Sequence, residues 1–211
     1  MTVRVLIAAC GLSFATPALA QRTAATVRGE VSGPDSASGD GAYGRFDGDV
    51  ELGIGLGAEL DFGAERRLAA RADLHYFTMA GLYAGYVDAF RASEDPGRAR
   101  RKLALGVDLR PLFVPRWALD MEQGPPLADL TLDSVSIAMG AFWTEPGGAS
   151  FGDQRGFETS LGFGFPLLAR AAGPWLELRG NLRWPDDGER EESLLALLSW
   201  RAFVLTPLAR N

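Results

Sequence analysis

The amino-acid sequence predicts an all-β protein: an antiparallel, up-and-down transmembrane β-barrel of eight strands. Three observations predict it. Apolar residues alternate with polar or small ones in block after block of the chain. The alternating runs reach the roughly 9–11 residues that a tilted strand needs to cross a bilayer. The face opposite the apolar one is crowded with glycine and with charges of both signs.

The run Val50–Phe62 shows the pattern most plainly. Val50, Leu52, Ile54, Leu56, Ala58, Leu60 and Phe62 alternate with Glu51, Gly53, Gly55, Gly57, Glu59 and Asp61. A period of two places the first set on one face of a strand and the second on the other. Leu68 to Tyr86 keeps one phase and is read as one long strand, with Arg71, Asp73 and His75 on its polar side. Further strands are expected from Leu103 to Phe113, Val135 to Trp143, Phe157 to Leu167, Leu176 to Trp184 and Leu194 to Val204. Thr23 to Val31 supplies a first, short strand and completes eight.

The connections support this count. Outer-membrane barrels alternate short periplasmic turns with longer outer loops. Here the breaks read long (Ser32–Gly44), short (Gly63–Arg66), long (Ser93–Arg100), medium (Pro115–Asp129), long (Thr144–Arg155), short (Arg170–Gly173) and long (Pro185–Glu191). A turn near Thr78–Gly81 would instead give nine strands and put the two shortest turns on opposite sides. Two stretches are irregular. Ser193–Val204 is rich in Leu and Ala, and Leu195 and Leu197 break its alternation, so a helix is the alternative there. Leu130 and Leu132 are out of phase with Val135–Trp143, which a β-bulge near Asp133 would reconcile.

The chain opens with Arg4, an apolar run from Val5 to Phe14 and Ala18-Leu19-Ala20, the pattern of a signal peptide cleaved before Gln21. The domain organisation is then a signal peptide over 1–20 and a barrel over 21–211. Cleavage removes Cys10, the single cysteine, so the mature chain forms no internal disulfide. The formal charge is −6 at pH 7, which argues against a nucleic-acid partner. No mature segment approaches about 18 consecutive apolar residues, so no spanning helix is expected.

Alternation alone leaves open whether the apolar face meets lipid or a second sheet. Gly53, Gly55, Gly57, Gly106, Gly162 and Gly164 decide the reading, because glycine is a poor choice for a solvated strand face. In a narrow barrel small residues make room for larger ones opposite. The expected inner face also carries Glu51, Glu59, Asp61, Asp73, Asp108, Glu158 and Glu177 against Arg71, Lys102, Arg110, Arg179, Arg183 and Arg201. Such charges must pair in a closed lumen. Phe62, Tyr76, Tyr86, Phe113, Trp143, Phe157, Trp184 and Trp200 near block ends are similar to interfacial girdles.

On these features the chain resembles the small outer-membrane barrels of the OmpA/OmpX type, an architectural likeness over most of the mature chain with no family motif. The resemblance implies an outer-membrane location reached by a cleaved signal peptide. Such proteins usually finish on an aromatic residue, whereas this chain continues past Phe203 to Asn211.

His75 is the one histidine. It shares a strand face with Arg71 and Asp73, and a general base oriented by Asp73 is one reading. Some outer-membrane barrels modify lipid A using His-x-Ser on a strand, but Phe77 stands where that serine would be. A lumen histidine in an ion-pair network is preferred. One histidine and no mature cysteine exclude the usual zinc sets. Asp186-Asp187 and the Asp35–Asp40 region lack the ligand spacing of a calcium loop. Gly53-x-Gly55-x-Gly57 lies inside a strand, not between strand and helix as a nucleotide loop would. No catalytic, cofactor-binding or metal residue is therefore assigned.

The expected function is non-enzymatic: a structural or surface-contact role with at most a narrow pore. The expected partners are the outer-membrane bilayer and surface ligands reached through polar loops. A soluble periplasmic barrel holding an apolar ligand is the alternative, with Leu52, Ile54, Leu161 and Phe163 lining its interior and Glu51 and Arg179 in water. A lipid A-modifying enzyme is a second.

Overall fold

The computed structural model describes residues 43–45, 47–61, 66–89, 99–119, 121, 124–146 and 150–206. The expected signal peptide, the strand Thr23–Val31, the Asp35–Asp40 region and Phe62 lie outside them. Eight strands make up the fold: β1 (Val50–Asp61), β2 (Arg66–Tyr76), β3 (Ala80–Asp88), β4 (Ala99–Leu109), β5 (Ser136–Pro146), β6 (Gln154–Pro166), β7 (Gly173–Pro185) and β8 (Glu191–Val204). Each pairs antiparallel with the next, and β8 pairs antiparallel with β1 from Val50↔Val204 to Asp61↔Ser193, closing the barrel.

The count of eight stands, but its make-up differs: the Leu68–Tyr86 stretch is two strands, and β8 closes directly on β1, so the eight are complete within the described residues. A meander closes with antiparallel pairing throughout only if its strand number is even. The chain turns over Phe77–Met79, where the Met79 N–H donates to the Tyr76 carbonyl at 3.1 Å. Phe77 and Thr78 both have positive φ, 46° and 59°, which makes this a type I′ hairpin turn. That turn normally calls for Asn or Gly. A bulky and a β-branched residue in the left-handed region hide it from a sequence reading.

The connections then sort differently from the expected alternation. The short link after Asp61 lies at the same end as the longer ones after Asp88 and Pro146. The opposite end carries the Phe77–Met79 turn, the link between β6 and β7, and the longest connection, which holds α1 (Phe113–Ala118) and α2 (Pro126–Asp133). α2 explains why Leu130 and Leu132 fall out of phase: they are helical, and no bulge is needed. β4 ends at Leu109, before Pro111, so Phe113 belongs to α1 and is buried; it is no part of an aromatic girdle.

Residues 191–204 are a strand, not a helix. Leu195 and Leu197, which blur its pattern, point inward and pack with Ala69 and Val87. Every strand turns an apolar side outward, and the inward side is mostly polar or small, with apolar clusters around Leu195 and Tyr83. Ile54, Leu82, Leu161 and Trp200 are 68%, 61%, 62% and 62% exposed, whereas Glu51, Glu59, Asp108 and Arg183 are buried. Phe163 is also exposed and Arg179 is buried. The orientation required by an apolar-lined soluble barrel is thus reversed.

The inner glycines seat the large lumen side chains. Gly106 and Gly140 face each other across β4 and β5. A Cβ on Gly106 would stand 2.2 Å from the Met139 carbonyl oxygen and 2.7 Å from Tyr83 Cε1. One on Gly140 would stand 2.7 Å from the Tyr83 hydroxyl. Tyr83 thus lies across this glycine pair and packs with Ala104, Ala138 and Phe142. Substituting Gly140→Ala should overpack the lumen and cost roughly 1–3 kcal/mol in urea unfolding. Gly180→Ala, where an added Cβ meets nothing within 4 Å, should change stability by under about 0.5 kcal/mol.

Candidate functional site

The strand register stacks the inward charges into three connected groups along the lumen. At the end where β1 begins, Arg110 donates two hydrogen bonds to Glu51, at 2.6 and 2.7 Å. Arg201 lies 3.6 Å from Glu51 and 2.9 Å from Glu177, and its guanidinium stacks 3.8 Å from the Trp175 ring centre. Ser199 donates to Glu177 at 2.7 Å.

In the middle, Asp108 accepts from Arg71 at 2.8 Å and from Arg179. Arg71 also binds Asp73 at 2.9 Å and lies over the Tyr83 ring at 4.1 Å. Arg179 reaches Ser136 at 2.9 Å. At the far end Arg183 bridges Glu59 and Glu158, both at 2.7 Å, and Tyr83 donates to Glu158 at 2.9 Å. Lys102 pairs with Glu191 at 2.7 Å and lies 3.7 Å from Glu59. The arginine forks account for this connectivity: a planar guanidinium with five donors satisfies two carboxylates at once.

Burying these ions is costly, and their mutual attraction with hydrogen bonding offsets the cost only when each is matched. The expected inner-face charges are all found inward, with Asp61 and Asp73 only half-buried. Arg67, which shares their phase, joins them 3.8 Å from Glu59. His75 is correctly placed in the lumen, but Asp73 does not orient it. Asp73 pairs with Arg71, whereas His75 lies 3.9 Å from Asp108.

Among the described residues the lumen holds small spaces. Cavities of about 10 Å³ lie beside Glu177 and Arg201 and beneath Trp175, and one of about 20 Å³ lies beside Lys102 and Glu158. Each is of the order of a single water.

The connection carrying α1 and α2 covers the lumen at the end where β1 begins, and this was not legible in the sequence. Leu130 packs with Ala171 and Trp175. Arg116 binds Asp129 at 2.5 Å and Asp133 at 2.7 Å, Arg45 binds Asp133, and the Tyr43 hydroxyl donates to Asp129 at 3.0 Å. Asp129 and Asp133 are four apart and therefore share one face of α2. That spacing is the signal available in the sequence, hidden by reading the segment as loop and strand. Asp186, considered for calcium, instead makes an exposed pair with Arg155 at 3.2 Å.

The tail beyond β8 is tied down too. Asp49 accepts from the Thr206 backbone N–H at 2.5 Å and from its hydroxyl.

No family model matches the chain, and no curated protein matches it. Among solved structures, the crystal structure of Pseudomonas aeruginosa OpdO aligns at 14% identity over 74% of this chain and 50% of that one, with a TM-score of 0.26. The chain therefore spans about half the length of that protein. A likeness at that TM-score has no bearing on function.

Two outcomes follow from this geometry. Asp108→Ala leaves Arg71 and Arg179 without their shared carboxylate and should cost about 3–5 kcal/mol. Arg155→Ala, which breaks a pair 73% and 61% exposed, should cost less than about 0.5 kcal/mol; urea unfolding of the two variants measures the contrast. The hydrogen bond from the Thr206 hydroxyl holds the Asp49 carboxyl below its ordinary value of 3.8. A depressed folded-state value contributes stability above that range and loses it as the pH falls through the folded value. The gap in melting temperature between the native chain and Thr206→Val should therefore be present at pH 7 and close on acidification.

Proposed function

We propose that the mature chain is an outer-membrane β-barrel with a non-enzymatic, structural or surface-contact role, its lumen closed to solutes. One observation carries this reading: large apolar side chains are exposed on the outer wall of all eight strands while networks of ion pairs are enclosed in the interior. Ile54, Leu74, Leu82, Leu105, Ile137, Leu161, Leu176 and Leu198, one from each strand, are all exposed. A closed barrel satisfies every backbone group within itself and leaves no edge, which is the condition for a strand protein to cross hydrocarbon. Exposed apolar surface of this extent in water would drive aggregation. The exposed, stacked Phe157 and Trp184, 6.0 Å apart near one end of the barrel, and exposed Tyr76 near the other suit the two interfaces.

The non-conducting, non-enzymatic part of the reading rests on the lumen. Its charges are spent on one another, α1 and α2 cover one end, and His75 is buried with no serine beside it in its strand. The lipid A-modifying alternative gains nothing from this arrangement. The cleaved signal peptide is the route to the periplasm that this reading uses. The polar links after Asp88, Pro146 and Pro185 would face the cell exterior, where surface ligands reach them.

Expression in a Gram-negative host tests the location. The protein should partition with outer membranes, require detergent for extraction and migrate differently on a denaturing gel before and after boiling. A mature chain that stays soluble without detergent and shows no heat-dependent shift would contradict the reading. Ile54→Arg should leave the fold formed but lower its stability in bilayers by roughly 2–4 kcal/mol.

A further inference from the structure

We infer that Asp73, His75 and Asp108 form a lumen site for one divalent transition-metal ion of the zinc type. Register builds this site. His75, Gly81 and Asp108 occupy one row across β2, β3 and β4, because His75 pairs with Gly81 and Gly81 pairs with Asp108. Gly81 carries no side chain, so the imidazole and the carboxylate face each other across the middle strand. A Cβ on Gly81 would stand 2.1 Å from the Leu74 carbonyl oxygen, which excludes any larger residue there. Asp73 stands two residues from His75 on the same face of β2 and completes the set. One donor atom from each of the three residues lies within 4.8 Å of the others.

Unmatched donors point to a ligand. His75 is 1% exposed, and neither of its ring nitrogens has a hydrogen-bond partner among the described residues. Nε2 lies 3.9 Å from Oδ2 of Asp108. The second Asp108 oxygen, Oδ1, is also buried and unpartnered, although its Oδ2 accepts from two arginines. Glu59 Oε1, Arg67 Nε and Arg179 Nε are also without a hydrogen-bond partner among the described residues, but only here do an imidazole and a carboxylate oxygen remain open within one cluster of possible ligands, and leaving buried polar atoms open is costly.

The neighbouring arginines suit an orienting role. Ligating carboxylates are usually hydrogen-bonded from behind, which fixes their direction. Arg71 and Arg179 hold Asp108 in this way, and Arg71 holds Asp73 through two hydrogen bonds at 2.9 and 3.1 Å. Their positive charge also weakens attraction for a cation, so affinity is modest. One neutral imidazole with two carboxylates favours zinc and its transition-metal neighbours over calcium and magnesium, which prefer all-oxygen shells. The site lies in the lumen and holds whether lipid or water surrounds the barrel.

Co²⁺ is the probe, since it reports nitrogen ligation in its visible spectrum. The untagged mature chain, refolded in detergent and stripped with EDTA, should bind one equivalent of Co²⁺ with a visible ligand-field band. Zn²⁺ should displace it and Ca²⁺ should not. His75→Gln and Asp73→Asn should each weaken binding at least tenfold while keeping the heat-dependent gel shift. Because a variant in a buried network can fail to fold, a second measurement uses the native sequence alone. His75 is the sole histidine, so one set of imidazole proton signals is available, and Zn²⁺ should shift it. Absence of saturable Co²⁺ binding, equal binding by folded His75→Gln, or imidazole signals indifferent to Zn²⁺ would overturn the site.

Discussion

Charges enclosed in a lumen too narrow to solvate them must find partners within it, and the rest of the structure depends on that constraint. Asp108 shows it at closest range. This one carboxylate, from β4, ties Arg71 of β2 to Arg179 of β7. Arg183 of β7 likewise ties Glu59 of β1 to Glu158 of β6. Arg183–Glu158 joins the adjacent β6 and β7, whereas the other three links cross the lumen and join strands that are not neighbours in the sheet. They give the barrel an internal frame that the backbone ladder does not provide. The cost of desolvating so many ions is why pairing is nearly complete.

The glycines follow from the same constraint. Long arginines and the ring of Tyr83 need room, and the wall supplies it where a side chain is missing. Gly162 lies opposite Arg179, where an added Cβ would stand 2.7 Å from Arg179 Cγ. α1 and α2 extend the frame past the barrel end. Arg116 and Arg45 meet Asp129 and Asp133 there, and Leu130 seals against Trp175. The outer wall then has no polar work left to do and is apolar on every strand.

Much of this was legible in a period of two. Alternation assigned each residue of Val50–Asp61 to its face, and the glycine-rich side proved to be the inner one. The same phase placed Glu51, Asp108, Arg179 and Arg183 inside, since facing direction is a local property of a strand. Their partners were not legible, because pairing across a lumen depends on register around the whole barrel. The turn at Phe77–Thr78 was hidden by residues that disfavour its backbone, and the even-numbered apolar phase of Leu68–Tyr76 resumes at Ala80 beyond it. The helical connection was hidden because two short helices of about two turns or less leave little periodic signal. Leu195 and Leu197 looked like errors in a strand because a charged lumen was expected throughout; part of the lumen is apolar.

The central claim is that the apolar wall faces hydrocarbon while the interior is closed to both lipid and water. Tryptophan fluorescence in bilayers tests it most directly, because Trp200 stands on the outer wall and Trp175 is buried inside. Single-tryptophan variants retaining one or the other are reconstituted in lipids brominated along the acyl chains. The account predicts strong quenching of Trp200 by the brominated chains and little quenching of Trp175 by them or by aqueous acrylamide. Quenching of Trp200 by acrylamide with none from the brominated chains would contradict it.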